Sequence, residues 1–557
     1  MAGGSGLKHV GQLAIVSAAA LLLGVADLER HGGTALAAEP HTSAAALTPS
    51  AADRCGALAR VRIVQTEIVS AVPQPAGAPE PAASFPGAPP RSVTDLPAFC
   101  RVTGHIRPEA GSDINFEVWL PEDGWDGRLS GAGNGGLAGS IAYTELGAAL
   151  KAGQAGVSTD TGHRGAQDAS WAKGHPERVR DYGWRAMHLS TLAAKSLVAR
   201  YYGRKPDHSY FVGCSNGGRM GLMEASRFPQ DYDGVLAGAP ASFFTELMTG
   251  QLWTARAQAS PGSAIRPEQA QLLQEEVLRQ CDGLDGEVDG LVNDPRRCRL
   301  DVARLACGVS ASPQCFTSPQ LEALRRIYAG PRDSSGRRIA PGPLPAGAEI
   351  GRPLPLGWDR LVFRAARQAD SPVLDELVQR PFATVDTFDF DKDPARLRAA
   401  LGADLDVAPD LTRFFRRGGK VIMWQGWADA ALPPQTTLEF REAVIGAVGA
   451  KAASRSMRVF MIPGLQHCLG GPGAGVFGQY TAPPKGAAPE SNAAAALQAW
   501  VEMGRGPETL IGRKGMPMAS ARTPAGERLL CAYPRVPALR PGADPEVAAS
   551  YQCRPPA

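Results

Sequence analysis

Several things are scarce in this sequence, and each scarcity narrows the reading. Neither sign of charge is in excess: 58 lysines and arginines face 55 aspartates and glutamates, for a formal net charge of +3. Nothing here offers the basic surface that a nucleic-acid partner requires. After the first residues no run is apolar and long enough to span a bilayer. No internal repeat is found, which removes solenoids and propellers. Histidine is rare, and only one, His467, follows Ser215 in the chain.

What is present is a long chain of globular composition. Its 557 residues suit one large domain with an insertion, or two domains. The 64 glycines and 47 prolines indicate many loops, with Pro73 to Pro90 read as an extended surface segment. At the N-terminus Lys8 and His9 precede the apolar run Leu13 to Ala26 and the small residues Ala35 to Ala37. That pattern is a secretory leader over residues 1–37, too short for a comfortable membrane anchor, and it implies a secreted or periplasmic protein. In an oxidising compartment the ten cysteines are expected to pair. Cys281 with Cys298 and Cys307 with Cys315 are close enough for local bridges, and Cys531 with Cys553 can staple the C-terminus. Cys55 and Cys100 then pair near the N-terminus, leaving Cys214 and Cys468.

Two β-rich runs, "VTGHI" and "INFEVWL", predict antiparallel edge strands between Val102 and Leu120. From Asp181 to Tyr202 a helix is expected, with Leu189, Leu192, Ala193 and Leu197 on one face and Gly203 as the stop. "SYFVG", "GVLAGAP", "KVIMWQG" and "MRVFMIPG" have the short apolar form of buried parallel strands, and a helix is read in "AAAALQAWVEMG". Alternation of such strands with helices indicates an α/β sheet. From 242 to 407 that rhythm fails, so this span is read as an inserted lid, between catalytic segments 38–241 and 408–557.

Gly213-Cys214-Ser215-Asn216-Gly217 fits G-x-S-x-G, with a strand before it and a helix after it. The alternative is a glycine-rich turn with an ordinary serine. A serine hydroxyl needs a base, and in folds with this elbow the chain order is serine, acid, histidine. His467, in the glycine-rich loop "IPGLQHCLGG", is the candidate base, and Asp429 after "KVIMWQGWA" the candidate acid, with a cap or turn role as its alternative. A Cys214–Cys468 bond would bring Ser215 and His467 together, since disulfides hold Cα atoms within about 7 Å. Oxyanion donors are expected from the amide of Asn216 and from Gly135 or Gly136 in "GAGNGGLAGS". Within the insertion, Asp282, Asp285 and Asp289 are spaced by glycines in "CDGLDGEVDGLVND". Oxygen ligands favour calcium, with a solvated acidic turn as the alternative, and the lack of a His or Cys set argues against zinc.

These stretches, together with "STDTGH" and "WQGWADAALPP", resemble the tannase and feruloyl esterase family of α/β-hydrolases over nearly the whole mature chain. That family also contains a bacterial hydrolase of mono(2-hydroxyethyl) terephthalate. The resemblance implies an α/β-hydrolase fold with a large lid domain inserted between nucleophile and acid, and the triad Ser215, Asp429 and His467. It also implies the Cys214–Cys468 bridge and a structural calcium held by Asp282, Asp285, Asp289 and the carbonyls of Glu287 and Leu291. The activity implied is serine esterase action on hydroxycinnamic or gallic esters, feruloyl esterase first, with tannase, terephthalate monoester hydrolase and a non-catalytic binding protein as alternatives. The expected partner is a small aromatic ester, free or attached to plant polymer, with no membrane after leader removal and oligomeric state left open.

Overall fold

Nine strands form the central sheet of the computed structural model, which describes residues 50–79, 95–165, 168–308, 314–363, 373–516 and 526–556. The leader over 1–37 and residues 80–90 of the proline-rich stretch lie outside the described residues. In chain order the strands are β1 (Thr66–Gln74), β2 (Phe99–Ile106), β3 (Ile114–Pro121), β4 (Arg128–Ala132), β5 (Ala155–Thr159), β6 (His208–Cys214), β7 (Gly234–Gly238), β8 (Lys420–Gly426) and β9 (Met457–Ile462). Across the sheet the order is β1-β2-β3-β5-β4-β6-β7-β8-β9. β1, β2, β3 and β5 pair antiparallel, and every pairing from β5 to β9 is parallel.

β2 and β3 are not edge strands, because β1 covers β2 and carries the edge itself. β1 tolerates that place: Val69 and Val72 are exposed, and Pro73, which has no N–H to give, lies in it opposite Cys100. Pro73 is therefore strand rather than loop. β6 to β9 are buried almost throughout, as their continuous apolar sequences require in a sheet covered on both faces.

The helix expected from Asp181 begins as a π-turn over Asp181–Arg185 and continues as α-helix Ala186–Tyr202, capped by Gly203 at φ +74°. Ala193 and Leu197 face the core, but Leu192 is 42% exposed. Besides Ala193 and Leu197 the buried face takes in Met187, Ser190, Thr191, Ala194, Val198 and Tyr201, so small and polar residues widen the stripe that the leucines alone suggested. The helix Ala493–Met503 starts at an Asn492 side-chain cap and packs on the opposite face of the sheet through Leu497 and Trp500.

Strand order reverses between β4 and β6: the chain leaves β4 toward β5 on one side and passes β6 to β7, β8 and β9 on the other. Such a switch point opens a crevice at the carboxyl ends of the strands. Above it, between β7 and β8, stands the inserted segment. The helices Phe244–Ala257, Ala270–Cys281 and Ser318–Ala329 belong to it; Leu273, Phe316, Leu324 and Trp358 share a core with Ala428 and Ala430 of the loop after β8, while Phe244 packs with Trp171 and Tyr182. Its two ends are tied together: Val407 N donates to Ser242 O at 2.8 Å, and Asp406 accepts from Thr245 N and Oγ1 at 2.9 and 2.7 Å.

Candidate active site

Ser215 stands at the carboxyl end of β6, where the strand turns into the helix Asn216–Arg227. Its backbone is held at φ +62° and ψ −123°, a region that side chains rarely adopt and that costs about 1–3 kcal/mol. Neighbouring backbone imposes it: Ser215 N donates to Gly238 O at 2.9 Å, while Ser215 O accepts from Arg219 N at 3.0 Å and Ala241 N at 3.3 Å. The flanking glycines follow from close approach. A Cβ on Gly213 would lie 2.6 Å from the Gly217 carbonyl, and one on Gly133 would lie 2.7 Å from Gly217 Cα.

His467 reaches Ser215 from the loop after β9, with Nε2 to Ser215 Oγ at 2.9 Å and Nδ1 to Asp429 Oδ2 at 2.8 Å. Because Nδ1 faces a carboxylate acceptor, the neutral ring carries its proton there and leaves Nε2 free to accept. Asp429, fully buried in the loop after β8, makes four contacts. Oδ1 accepts from the amides of Ala431 and Leu432, both at 2.9 Å, and Oδ2 accepts from Gln425 Nε2 at 2.7 Å beside the His467 contact. Asp429 thus holds its own turn with Oδ1 and meets His467 with Oδ2. Cys214 and Cys468 are bonded with Cα atoms 6.0 Å apart, so the residue before Ser215 is joined covalently to the residue after His467. The other bridges are Cys55–Cys100, Cys281–Cys298, Cys307–Cys315 and Cys531–Cys553.

The glycine-rich loop after β4 lies against the elbow. Gly133 N donates to Val212 O at 3.0 Å, which anchors the loop to β6. The carbonyl of Gly136 accepts from Tyr182 OH at 3.1 Å, and that of Leu137 accepts from His163 Nε2 at 2.7 Å. Burial pushes His163 down to about 4, so it stays neutral while stacked 3.9 Å from Trp171. Gly135 and Gly136 are exposed above these anchors, and a Cβ on Gly135 would meet nothing within 4 Å. Asn216, first residue of its helix, has an amide that no preceding helical turn can satisfy.

The acidic loop is largely satisfied from within. Asp282 accepts from Gly290 N at 3.0 Å, Asp285 from Glu287 N at 3.0 Å, and Asp289 from Leu291 N at 3.1 Å. Arg528 spans Asp289 at 2.8 Å and Glu287 at 2.9 Å, and Tyr551 OH donates to Glu287 at 3.0 Å. The donor chemistry fits a hard cation, because four carboxylates face one guanidinium and burial pushes Asp285 and Glu287 upward. Among the described residues, however, the group whose ligand atoms converge within 4.8 Å is His188, Glu224 and Asp231, not the loop aspartates. In that group His188 Nδ1 is 2.6 Å from Asp231, and burial beside Asp231 pushes the Glu224 carboxyl well up.

Sequence reasoning missed Gln425, His163, Tyr182 and Arg219. Arg219 is fully buried; its guanidinium donates to Asn216 Oδ1, to the carbonyls of Tyr182 and Gly183 in the π-turn, and to Leu405 at the return of the insertion. One signal was available, a polar residue inside the apolar strand "KVIMWQG"; the rest depend on contacts distant in sequence.

Comparison with known proteins places the chain in one family. A family model described as "Tannase and feruloyl esterase" matches residues 100–554. An uncharacterized esterase from Xanthomonas campestris pv. campestris is 38% identical over 524 residues, covering 88% of this chain and 89% of that one. A probable feruloyl esterase B-2 from Aspergillus flavus is 33% identical over 429 residues, covering 75% and 80%. Among solved structures, feruloyl esterase B from Aspergillus oryzae superposes with a TM-score of 0.80 at 27% identity, covering 91% of this chain and all of that one.

Proposed function

Since the chain belongs to the tannase and feruloyl esterase family and is a carboxylic ester hydrolase, we propose that it cleaves esters of hydroxycinnamic acids through a Ser215 acyl-enzyme. The observation that carries the serine mechanism is the unbroken line from Ser215 Oγ to His467 to buried Asp429, at 2.9 and 2.8 Å. His467 Nε2 takes the Ser215 proton as Oγ attacks the ester carbonyl. The amides of Asn216 and Gly135 face the developing oxyanion. His467 then returns the proton to the departing alcohol. Water, deprotonated by the same nitrogen, attacks the acyl carbon; the bond to Ser215 Oγ breaks, His467 gives the proton to that oxygen, and the aromatic acid leaves. Asp429 keeps the ring in the Nδ1–H form throughout.

Preference for a hydroxycinnamic over a gallic acid is supported by the names of the Aspergillus flavus relative and the Aspergillus oryzae structure. Export is supported by the leader pattern and five bridges, and no described helix is long and apolar enough to cross a membrane. The ester is free or attached to plant polymer. The reading includes a calcium ion held by Asp282, Asp285, Asp289 and the carbonyls of Glu287 and Leu291, and its role there is to neutralise the acidic loop. Chelation should lower Tm and calcium alone restore it; an unchanged Tm removes the ion.

The decisive experiment compares kcat/KM for methyl ferulate and methyl gallate, with Ser215→Ala as blank. Ferulate preference with an inert Ser215→Ala supports the reading. Gallate preference makes the protein a tannase, and cleavage of neither directs attention to terephthalate monoesters. Turnover in a clean Ser215→Ala preparation sinks the serine mechanism, and failure of native protein to react with a fluorophosphonate favours the binding-protein alternative.

A further inference from the structure

β8 is an apolar strand with one polar interruption. Val421, Ile422, Met423 and Trp424 are all fully buried, and so is Gln425 after them. A buried primary amide is tolerated only when its donors and acceptor are matched. Gln425 Nε2 donates to Asp429 Oδ2 at 2.7 Å and to Leu432 O at 3.4 Å, and Oε1 accepts from Thr437 Oγ1 at 2.8 Å. Thr437, on the helix Gln435–Val448, is itself fully buried. The Asp429 carboxylate decides the orientation of the amide, because a flipped Gln425 would turn its oxygen toward an acceptor, and the Thr437 hydroxyl then donates to the amide oxygen and holds it there.

Asp429 Oδ1 is fixed by two loop amides, but Oδ2, the oxygen that meets His467, has Gln425 as its other partner. We propose that Gln425 and Thr437 are positioning residues that hold Asp429 Oδ2 at the height and tilt His467 needs. The hydrogen-bond line then runs Thr437, Gln425, Asp429, His467, Ser215, from a helix on one side of the sheet to the nucleophile. Gln425 touches no substrate; it acts through Asp429. The inference rests on the Ser215 reading above and adds to it a requirement for one amide and one hydroxyl.

The test uses the full mature chain with methyl ferulate and p-nitrophenyl acetate as substrates. Gln425→Met is expected to lower kcat about 10- to 100-fold, as loss of one hydrogen bond to a charged group implies, and Thr437→Val, which removes a neutral hydrogen bond one step further away, about 2- to 10-fold, each with KM changed less than about twofold. Thr437→Ser restores the hydroxyl and recovers most of kcat, which a packing role for the threonine methyl would not. The double variant Gln425→Met/Thr437→Val loses no more than Gln425→Met alone, because the hydroxyl acts only through the amide. Should Gln425→Met fail to fold, the Thr437→Val and Thr437→Ser pair decides the matter. Folded Thr437→Val with native kcat, a loss carried by KM, or Thr437→Ser as slow as Thr437→Val overturns the inference while an inert Ser215→Ala leaves the serine mechanism standing. Turnover in Ser215→Ala overturns both.

Discussion

Replacing Cys214 and Cys468 together by serine opens a covalent loop of 254 residues while leaving no unpaired thiol. In the chain-entropy account, a closure of that length stabilises the folded state by about 5 kcal/mol. Two bridges within it, of separations 17 and 8, shorten the free length so little that the logarithm changes by about 0.1 kcal/mol. Unfolding entropy of roughly 2 cal/mol/K per residue over about 500 residues amounts to about 1 kcal/mol/K, so Tm should fall by about 5 °C. A second effect is local. Cys468 sits at φ +61° directly after His467, and without the bond nothing covalent holds that conformation, so kcat should fall at temperatures where the variant is fully folded. The control is Cys531→Ser/Cys553→Ser, of separation 22, which should lose about 3 kcal/mol by the same account and keep its kcat. Calorimetry and methyl ferulate turnover at 25 °C read both effects. A Tm within about 1 °C of the native value, or equal kcat losses in the two double variants, would refute the reasoning.

Gly213→Ala sets a methyl 2.6 Å from the Gly217 carbonyl, backbone against backbone, and should abolish turnover, whereas Gly446→Ala, in open space on a helix, should raise stability by up to about 1 kcal/mol and leave kcat alone. Active Gly213→Ala protein would disprove the packing account of the elbow. Glu349 is fully buried and pushed up to about 7 by that burial, although Tyr328 OH and the Gly347 amide donate to it. Its folded-state value lies above the unfolded one of 4.5, so its contribution is complete below about pH 4.5 and is lost as pH rises through 7. Tm should therefore decline between pH 5 and 8, and Glu349→Gln should flatten that decline; an unchanged slope removes Glu349 as the cause.

How far the sequence alone could be read depended on whether a residue's role is local. The elbow was readable because backbone contact between Gly213, Gly217 and Gly133 admits no side chain, and that prohibition is written into one pentapeptide and one loop. β6 to β9 were readable because burial on both faces demands unbroken apolar runs. β1 was not, since its alternation is interrupted by a register shift between Ile68 and Ser70 and by Pro73. The face of the helix Ala186–Tyr202 was readable from Leu189, Ala193 and Leu197 but not at Leu192, which is exposed while the polar Ser190 and Thr191 are buried. Arg219 was invisible for a plainer reason: Leu405, one of its acceptors, is 186 residues away.

The tie between Ser242, Thr245, Asp406 and Val407 has an evolutionary reading. Because the two ends of the insertion meet, whatever lies between them is a cassette plugged into the sheet at one socket. Closure entropy grows only with the logarithm of loop length, so cassettes of very different size impose similar penalties on the sheet beneath. The contents can then change without disturbing the sheet, provided the socket and Arg219, which donates to the returning chain at Leu405, are retained.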